Sequence, residues 1–559
     1  MAKPYGIDST PPFRVLFPEA LQHFGLAAVT LVVPRIVAEA AGADSLFIER
    51  YLSLAMLAVG ITTLLQAWGR HGIGSGYLLP ACYSGIYLAP ALALASQHGL
   101  PAIAGFAIVA GITEMTLSVA LRRIRSFFPS ELIGFVVFMI GIGWGTLGLK
   151  LMTGLAGRTP GSAEAALAGL TLAVTLAISL WGPRTLRPLA VLVGLVTGCL
   201  ATGIAFLAGG EAAVGIPKLV AGGAIWPLVR PDFHSSLLPA FIVGGIASFI
   251  RASGDIVASH QVSDVNWKRA HVGRISAGTL AGGLGSIVAG LLGVMPVDTS
   301  SGSVGLVAAS GVASRRIALG VGLLWIVLGL WPSGSAWLLA IPPGVAGAAL
   351  CFTGAFVIRT GTNMMTQRLL DNRRALTIGF ALMVGLSFEQ LLPALHLPPG
   401  VRTALDSSLL TAVAVALLLN AVFRIGIRRS MEREWQVSEG PLALRETMDH
   451  WGRQWGARAD LVRRAQDFLE EFAQAAALIS TPGKAASIRA TYDEVSLRFD
   501  LRWHGSAVAK AGTTPSLDDA DESLDHSLAV ALMRHRADHL SFDSLGPDTQ
   551  RAVATLDDH

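Results

Sequence analysis

Long apolar stretches recur along the chain from Leu21 to about Arg424, and the pattern then changes to one typical of a soluble domain. Each stretch approaches the length of about 20 apolar residues with which an α-helix crosses a bilayer. The pattern predicts fourteen membrane-spanning segments, seven in each half of this region. They are 20–38, 51–68, 77–95, 101–121, 130–152, 164–182, 187–208, 237–258, 270–293, 302–313, 315–331, 336–358, 372–392 and 407–426.

Two of the predicted segments are interrupted. The third is entered by the glycine-rich run 72–76 and contains Pro80, Gly85 and Pro90, and the tenth is short and follows sequence rich in Gly, Ser and Pro. Irregular backbone at membrane depth is tolerated only where protein or a water-filled cavity satisfies its polar groups. Because interrupted segments at matching places in two halves mark a transporter's central site, we expect segments three and ten to face each other there.

The last part of the chain has two soluble patterns. Residues 460–479 show helical spacing of Leu461, Phe468 and Phe472 with charges between them, and residues 495–503 alternate strictly between apolar and polar. The sequence therefore predicts an all-α polytopic transmembrane domain over 1–429 and a small cytoplasmic α+β domain over 430–559. The tail is either an appendage for folding or oligomer contacts, or a regulatory domain.

Composition and charge agree with a membrane protein. Of 559 residues, 52% are hydrophobic and only 14% are charged, which is too little charge for the surface of a soluble globule of this size. Basic residues concentrate in alternate loops, which predicts that both termini lie in the cytoplasm of a bacterial-type inner membrane. The net charge of +4 is too small to indicate a nucleic-acid surface.

The sequence contains no recognisable motif of an enzyme active site. The three cysteines, Cys82, Cys199 and Cys351, lie far apart inside apolar segments, so neither a zinc site nor a disulfide framework is indicated. No nucleophile with its base and no set of metal ligands is recognisable. We therefore expect no cofactor and no metal, and not an enzyme.

Short motifs occur in a fixed order through the apolar region. They are Gln22-His23, Gly74-Ser75-Gly76-Tyr77-Leu78-Leu79-Pro80, Phe128-Pro129, Gly254-Asp255, Ala281-Gly282-Gly283-Leu284-Gly285 and Gly302-Ser303-Val304-Gly305. This ordered set, spread over about residues 15–430, resembles the nucleobase/ascorbate transporter family. The resemblance implies a seven-plus-seven inverted repeat, a core domain that holds substrate between segments one, three, eight and ten, and a gate domain that forms a homodimer contact. It also implies uracil, xanthine, urate or a related base as cargo, often carried with a proton.

The sequence departs from the family where polar side chains are expected. The family's glutamate in segment eight falls at Arg251, and its aspartate in segment nine falls at Gly282. The Glu or Gln of the segment-ten signature falls at Gly302, and its Asn falls at Ser303.

Arg251 and Asp255 are four residues apart, so their side chains lie on one face of a helix. Ionisable residues inside a membrane segment are costly and usually functional. Two interpretations remain open. Either the two form a structural ion pair that locks segment eight, or Arg251 binds a carboxylate or a urate-like anion while Asp255 orients it or exchanges a proton.

The sequence around segment ten supplies further candidates. Asp298 precedes a half-helix whose start carries Ser300, Ser301, Gly302 and Ser303, and the positive end of such a helix can face a ligand. Asp298 is either a helix cap or a replacement proton carrier.

The other candidates lie in segments one, three and four. The resemblance implies backbone contacts to substrate at Gly85 and Ile86. It also implies a site-orienting role for Gln22 and His23, although a histidine in this setting is more often a helix-packing group than a ligand. Glu114, in segment four, is a second intramembrane acid to which the sequence gives no partner.

Together these observations predict a secondary active transporter, a proton-coupled symporter of a purine- or pyrimidine-like base. Its partners are the small-molecule substrate, H+, the lipid bilayer and a second copy of the chain. Two alternatives stay open: an organic-anion transporter that uses Arg251, and a non-transporting sensor that signals through the tail.

Overall fold

The computed structural model describes residues 5–557 apart from 125–127, 155–161, 184–185, 209–228, 235–237, 265–270, 332–340, 367–371, 392–406, 424–428, 458, 482, 494–495, 506–530 and 547. The chain divides into two compact units, Met1–Asn420 and Ala421–His559.

The first unit is helical. Its helices are α1 (Phe13–Ala28), α2 (Val32–Ala40), α3 (Ser45–Trp68), α4 (Leu88–Ile124), α5 (Ser130–Thr153), α6 (Ser162–Trp181), α7 (Ala190–Leu207), α8 (Leu238–Ser263), α9 (Val272–Leu291), α10 (Ser301–Ser310), α11 (Arg315–Leu330), α12 (Pro343–Met365), α13 (Asn372–Leu391) and α14 (Ser408–Phe423). Nine helical stretches among the described residues are long and apolar enough to cross a membrane, and α10 and α14 are shorter apolar helices. The chain is therefore a multi-pass membrane protein.

The number of fourteen spans stays a prediction. The helix α4 contains the second part of predicted segment three and all of predicted segment four, and its backbone departs from helical geometry between them, at Gly99 (φ 73°, ψ −171°). Only glycine adopts such a conformation without strain. The break lets one continuous stretch of chain supply two apolar segments.

The third predicted segment is interrupted at its start, as its glycines and prolines indicate. Residues 77–80 are not helical, Ala81–Tyr83 form a short strand, β1, and a single 3-10 turn, Gly85–Tyr87, precedes α4. The strand pairs antiparallel with β2 (Val297–Thr299), just before α10. Pro80 cannot donate a backbone hydrogen bond, but its carbonyl accepts one from the Ser300 amide at 3.0 Å. The two interrupted segments therefore meet, as the sequence predicts.

Glycines bring several helices of this unit into backbone contact. A Cβ added to Gly354 of α12 would lie 2.8 Å from the Gly141 carbonyl oxygen of α5, and one added to Gly347 would lie 2.6 Å from that of Gly148. We call this contact between α5 and α12 the glycine seam. Close backbone approach of this kind replaces the hydrophobic driving force that is missing between helices in lipid.

The second unit is an α+β domain, as predicted. Five strands form an antiparallel sheet in the order β3-β4-β5-β7-β6, where β3 is Arg429–Trp435, β4 is Ala486–Tyr492, β5 is Ser496–His504, β6 is His539–Ser544 and β7 is Thr549–Asp557. Two helices, α15 (Gly440–Trp455) and α16 (Ala459–Ile479), belong to the same unit. The helix predicted over 460–479 and the strand predicted over 495–503 are both present. Phe468 of α16 stacks on Phe499 of β5 with ring centroids 5.6 Å apart, inside the core of this unit.

Candidate functional site

The pairing of β1 with β2 sets the geometry of the candidate site. Cys82 lies opposite Asp298, and Tyr83 opposite Val297. Backbone groups of β1 that do not face β2 find side chains: the Ala81 amide donates to Thr63 Oγ1 at 2.9 Å, and the Tyr83 amide donates to Thr30 Oγ1 at 3.1 Å. Buried backbone without such partners would be costly in a membrane. These contacts therefore stabilise the place where β1 and β2 pair, which we call the crossing.

Arg251, on α8, lies beside this crossing and is 2% exposed. Its Nη1 donates to Ser84 Oγ at 2.5 Å, and its Nε donates to Ser301 Oγ at 3.3 Å. Ser84 follows β1 and Ser301 begins α10. One guanidinium therefore connects α8 with both interrupted segments.

Two buried carboxylates accompany this arginine. Asp298 Oδ2 lies 3.4 Å from Arg251 Nη1, and Asp255 Oδ2 lies 3.6 Å from Arg251 Nε. Thr299 donates its hydroxyl to Asp255 Oδ2 at 2.6 Å and its amide to Asp298 Oδ1 at 2.7 Å. We call Arg251, Asp255 and Asp298 the charged triad.

The charged triad contains one cation and two acids, all at most 2% exposed. With both carboxylates ionised, its net charge is −1, and with one proton bound it is neutral. A buried net charge is unfavourable because it loses its hydration. The triad therefore has a physical reason to bind a proton.

The start of α10 and the turn before α4 complete the candidate site. Ser303 donates to Ser300 Oγ at 3.1 Å, and the Ile86 amide donates to Ser84 Oγ at 3.2 Å. A Cβ at Gly85 would lie 3.9 Å from Trp144 Nε1, and a Cβ at Gly302 would lie 2.8 Å from Leu26 Cδ2. Gly85 thus approaches α5, and Gly302 approaches α1.

A small cavity of about 50 Å³ adjoins this region and is lined by Gly302, Leu26, Thr353 and Phe356 among others. A larger cavity, of about 360 Å³, is lined by Arg35, Glu39, Glu164 and residues of α5, α7 and α12. None of the predicted site residues lines the larger cavity. We place the candidate site at the triad because the irregular backbone and buried charges are there.

The structure brings together most of the predicted site residues. Arg251 contacts Asp255, Asp298 and Ser301. Ser300, Gly302 and Ser303 are close neighbours of Ser301 at the start of α10. Gly85 and Ile86 directly follow Ser84, which accepts a hydrogen bond from Arg251. Gln22 and His23 are buried on α1, and neither ring nitrogen of His23 has a hydrogen-bond partner among the described residues. The structure therefore does not join His23 to the triad by a hydrogen bond.

Sequence reasoning missed Ser84 and Thr299. Both are small hydroxyl residues in runs of small residues, where they look like ordinary turn and cap residues. Their importance depends on partners in other segments: Ser84 and Arg251 are 167 positions apart.

Glu114, on α4, is a further buried acid, 1% exposed. Its Oε2 accepts a hydrogen bond from Ser248 Oγ at 3.2 Å. A Cβ at Gly282 would lie 2.7 Å from its Oε1. The carboxylate thus fills space beside the position where the family resemblance expects an aspartate.

Comparison with known proteins gives a consistent result. Residues 15–393 match the Permease family. The chain is 29% identical to a Clostridium perfringens protein named as a purine permease, over 75% of this chain and 93% of that protein. It is 27% identical to the xanthine permease XanP of Escherichia coli K12, over 75% and 94% of the two chains. It is 26% identical to the uric acid permease PucJ of Bacillus subtilis, over 77% and 98%.

Among solved structures, the transmembrane domain of the cyanobacterial bicarbonate transporter BicA matches with a TM-score of 0.43 and 15% identity, over 73% of this chain and 98% of that one.

Proposed function

Because this chain belongs to the Permease family, which is the nucleobase/ascorbate transporter family that its motifs resemble, we propose that it is a proton-coupled symporter of a purine- or pyrimidine-like base. It is a membrane permease and not an enzyme. Its relatives are named for purine, xanthine and uric acid transport, which makes a purine the first cargo to test.

The proposal includes a seven-plus-seven inverted repeat. The pairing of β1 with β2 supports it, since β1 lies in predicted segment three and β2 directly precedes predicted segment ten. Helix α3 also packs against α11, and α4 against α9. These are segments two with eleven and four with nine, and exchanging the two halves converts one pair into the other. The glycine seam joins segments five and twelve, which exchange in the same way.

The single observation that carries the proposed site is the position of Arg251. It contacts Ser84 and Ser301, one in each interrupted segment, while its charge is balanced by Asp255 and Asp298. We propose that Arg251 is a positioning residue that holds the 3-10 turn at Gly85–Tyr87 and the start of α10 in place. The base then binds against these two elements, where Gly85, Ile86, Ser300, Gly302 and Ser303 offer backbone and hydroxyl groups.

The charge of the triad favours a neutral base over an organic anion. A guanidinium free of acids would attract a carboxylate. Here the net charge is −1 or zero, so the triad repels an anion or is indifferent to it. The organic-anion alternative therefore loses the observation that motivated it.

Proton coupling is the second part of the proposal. Asp298 and Asp255 are both buried beside one arginine, and a single proton removes the excess negative charge. Binding a proton and binding a base would then stabilise the same arrangement, in which Arg251 holds the 3-10 turn and the start of α10 together. Such shared stabilisation is what couples two ligands thermodynamically.

We also propose that the protein is a homodimer in a bacterial-type inner membrane with both termini in the cytoplasm. The asymmetry of basic residues between alternate loops supports this orientation. The α+β unit at residues 421–559 then lies in the cytoplasm.

The test is uptake by the purified full chain in liposomes. Radiolabelled xanthine, urate, uracil and malate are each offered with the interior alkaline, and again without a pH gradient. We expect a purine or pyrimidine to accumulate only with the gradient, and malate not to enter. Uptake of malate, or of urate without xanthine or uracil, would instead support an anion transporter. Binding of a base without any uptake would support the sensor, and deletion of residues 430–559 that leaves uptake intact would argue against it.

A further inference from the structure

Glu114 is a buried acid that the charged triad does not include. Its side chain is 1% exposed, and its Oε1 has no hydrogen-bond partner among the described residues. It lies in the membrane-spanning part of α4, where an ionised carboxylate without a counter-ion is expensive. Such a carboxyl group is either kept protonated and neutral, or it takes part in the movement of a proton.

The surroundings of Glu114 are built to accommodate it. Helix α9 presents Gly282 to it, where a Cβ would lie 2.7 Å from Oε1. One turn away, a Cβ at Gly111 would lie 2.5 Å from the Gly283 carbonyl oxygen, so α4 and α9 touch through their backbones. Almost any side chain at 282 would displace the carboxylate, so this position is compatible with Glu114 because it is glycine.

Ser248 connects Glu114 with the triad. It lies on α8, three residues before Arg251, and therefore on the same face of that helix. Its hydroxyl donates to Glu114 Oε2 at 3.2 Å, and it also lies beside the side chains of Asp298 and Tyr87. One hydroxyl thus hydrogen-bonds Glu114 and also interacts with Asp298.

We propose that Glu114 carries a proton and exchanges it with Asp298 through the hydroxyl of Ser248. When Glu114 is protonated it becomes the donor in its contact with Ser248: it gives its proton to Ser248 Oγ while Ser248 gives its own hydrogen to an oxygen of Asp298. Glu114 becomes a carboxylate, Asp298 becomes a neutral acid, and Ser248 is unchanged. The proposal rests on the proposed proton symport and names a residue that serves it outside the charged triad.

The other groups near Glu114 fit this role. From β2 it faces Asp298, and from the 3-10 turn before α4 it faces Tyr87, whose hydroxyl also lacks a hydrogen-bond partner among the described residues. Arg251, on α8, lies against Asp298 and favours a negative charge there. While Arg251 contacts Asp298, the proton therefore stays on Glu114. When Arg251 binds another group instead, the proton moves from Glu114 to Asp298.

The first experiment does not depend on transport. Infrared difference spectra of the full chain in liposomes, recorded between acidic and alkaline pH, report the carbonyl stretch of protonated carboxylic acids in apolar surroundings. We expect one such band to disappear in Glu114→Gln and to remain, shifted, in Glu114→Asp. The control Glu39→Gln changes an exposed acid paired with Arg35 and should leave the band in place. The triad acids can contribute bands of their own, so the comparison is of the whole set: if every titrating band of the wild type persists in Glu114→Gln, or if the wild type shows none, the proposal is overturned.

The second experiment separates proton coupling from base binding. A pH gradient of one unit can drive about tenfold accumulation per proton carried. We expect Glu114→Gln to lose this accumulation while still exchanging labelled for unlabelled base across the membrane, which shows that it folds and binds. Ser248→Ala should behave in the same way, and Ser248→Thr, which keeps the hydroxyl, should accumulate base. Full accumulation by Glu114→Gln would overturn the proposal.

The two experiments also separate this inference from the proposed function. If the wild type carries none of the bases, the proposed function fails, and the infrared band alone still decides whether Glu114 titrates.

Discussion

Arg251 Nη1 lies 2.5 Å from Ser84 Oγ, although 167 residues separate the two in the sequence. The same Ser84 oxygen accepts a hydrogen bond from the Ile86 amide at 3.2 Å. The arginine therefore acts on the backbone of the 3-10 turn through a single hydroxyl. Because that turn belongs to the interrupted third segment, the contact links the charge of α8 to the shape of the proposed binding surface.

Replacing Ser84 by alanine tests this link. A hydrogen bond to a charged group is worth about 1.5–3 kcal/mol, so we expect Ser84→Ala to weaken binding of the best base by about tenfold or more. Equilibrium binding of radiolabelled base to purified protein measures the effect. The control Ser96→Ala removes an exposed hydroxyl that bonds only its own helix and should bind as the wild type does. Equal affinity of both variants would show that Ser84 does not shape the site.

Removing the arginine should lower the stability of the protein, because two acids then stay buried without a cation. In Arg251→Met, Asp255 and Asp298 remain buried without their cation, and breaking such an arrangement typically costs about 3–5 kcal/mol. We expect a markedly lower melting temperature at neutral pH. Tryptophan fluorescence of the protein in detergent measures it. The triple variant Arg251→Met, Asp255→Asn, Asp298→Asn removes all three charges and should regain most of the lost stability. If the single variant is as stable as the wild type, the triad is not an electrostatic unit.

The meeting of segments three and ten could be predicted because glycine and proline interrupt both, at matching places in the two halves. The arrangement at the crossing could not be predicted in the same way. Residues 77–87 are apolar enough for a helix, but their extended backbone is stabilised by partners such as Ser300, which bonds Pro80, and Thr63, which bonds Ala81. Those partners lie in other segments, which a local pattern does not contain.

The glycine seam gives a prediction about packing. In Gly354→Ala, the new Cβ meets the Gly141 carbonyl oxygen and the Gly145 amide nitrogen, each at 2.8 Å. Rigid backbone cannot move aside easily, and overpacking costs about 1–3 kcal/mol. We expect a lower melting temperature for this variant.

The matched control is Gly203→Ala in α7, where no atom lies within 4 Å of the added Cβ. Alanine is the better helix former by about 1 kcal/mol, so this variant should melt at the same temperature as the wild type or higher. A seam that tolerates alanine as well as α7 does would mean that α5 and α12 separate readily.

The soluble unit offers a pH-dependent prediction. Burial by itself would raise the pKa of Asp500, but hydrogen bonds from Arg551, at 2.6 and 3.0 Å, and from Arg502 hold it below its ordinary value. Since the folded-state pKa is depressed, the contribution to stability is present above the ordinary pKa of about 3.9 and is lost as the pH falls through the folded value.

We therefore expect the amides of β5 and β7 to exchange hydrogen faster at acidic pH, after correction for the intrinsic pH dependence of exchange. In Asp500→Asn this acceleration should be smaller, because the titrating group is gone. Asp449→Asn, which removes an exposed partner of Arg453 on α15, serves as the control and should keep the wild-type profile. An unchanged profile in Asp500→Asn would assign the acid sensitivity of the sheet to other groups.

The soluble unit was also the easier part to predict. The strict alternation over 495–503 and the helical spacing over 460–479 each report one buried face, and both elements occur within a residue or two of their predicted bounds. Glu114 shows the opposite situation. Its environment includes Ser248 and Gly282, which are more than 130 positions away, so only the folded chain reveals what an isolated intramembrane acid contacts.

The charged triad has an electrical consequence. With both acids ionised it carries one negative charge, and with a proton it carries none, so an electric field acts on the first form only. One elementary charge moved through 100 mV changes in energy by about 2.3 kcal/mol. The membrane potential therefore contributes to whichever step moves the unprotonated triad through the field, and transport of a neutral base with one proton is a current that electrodes can record.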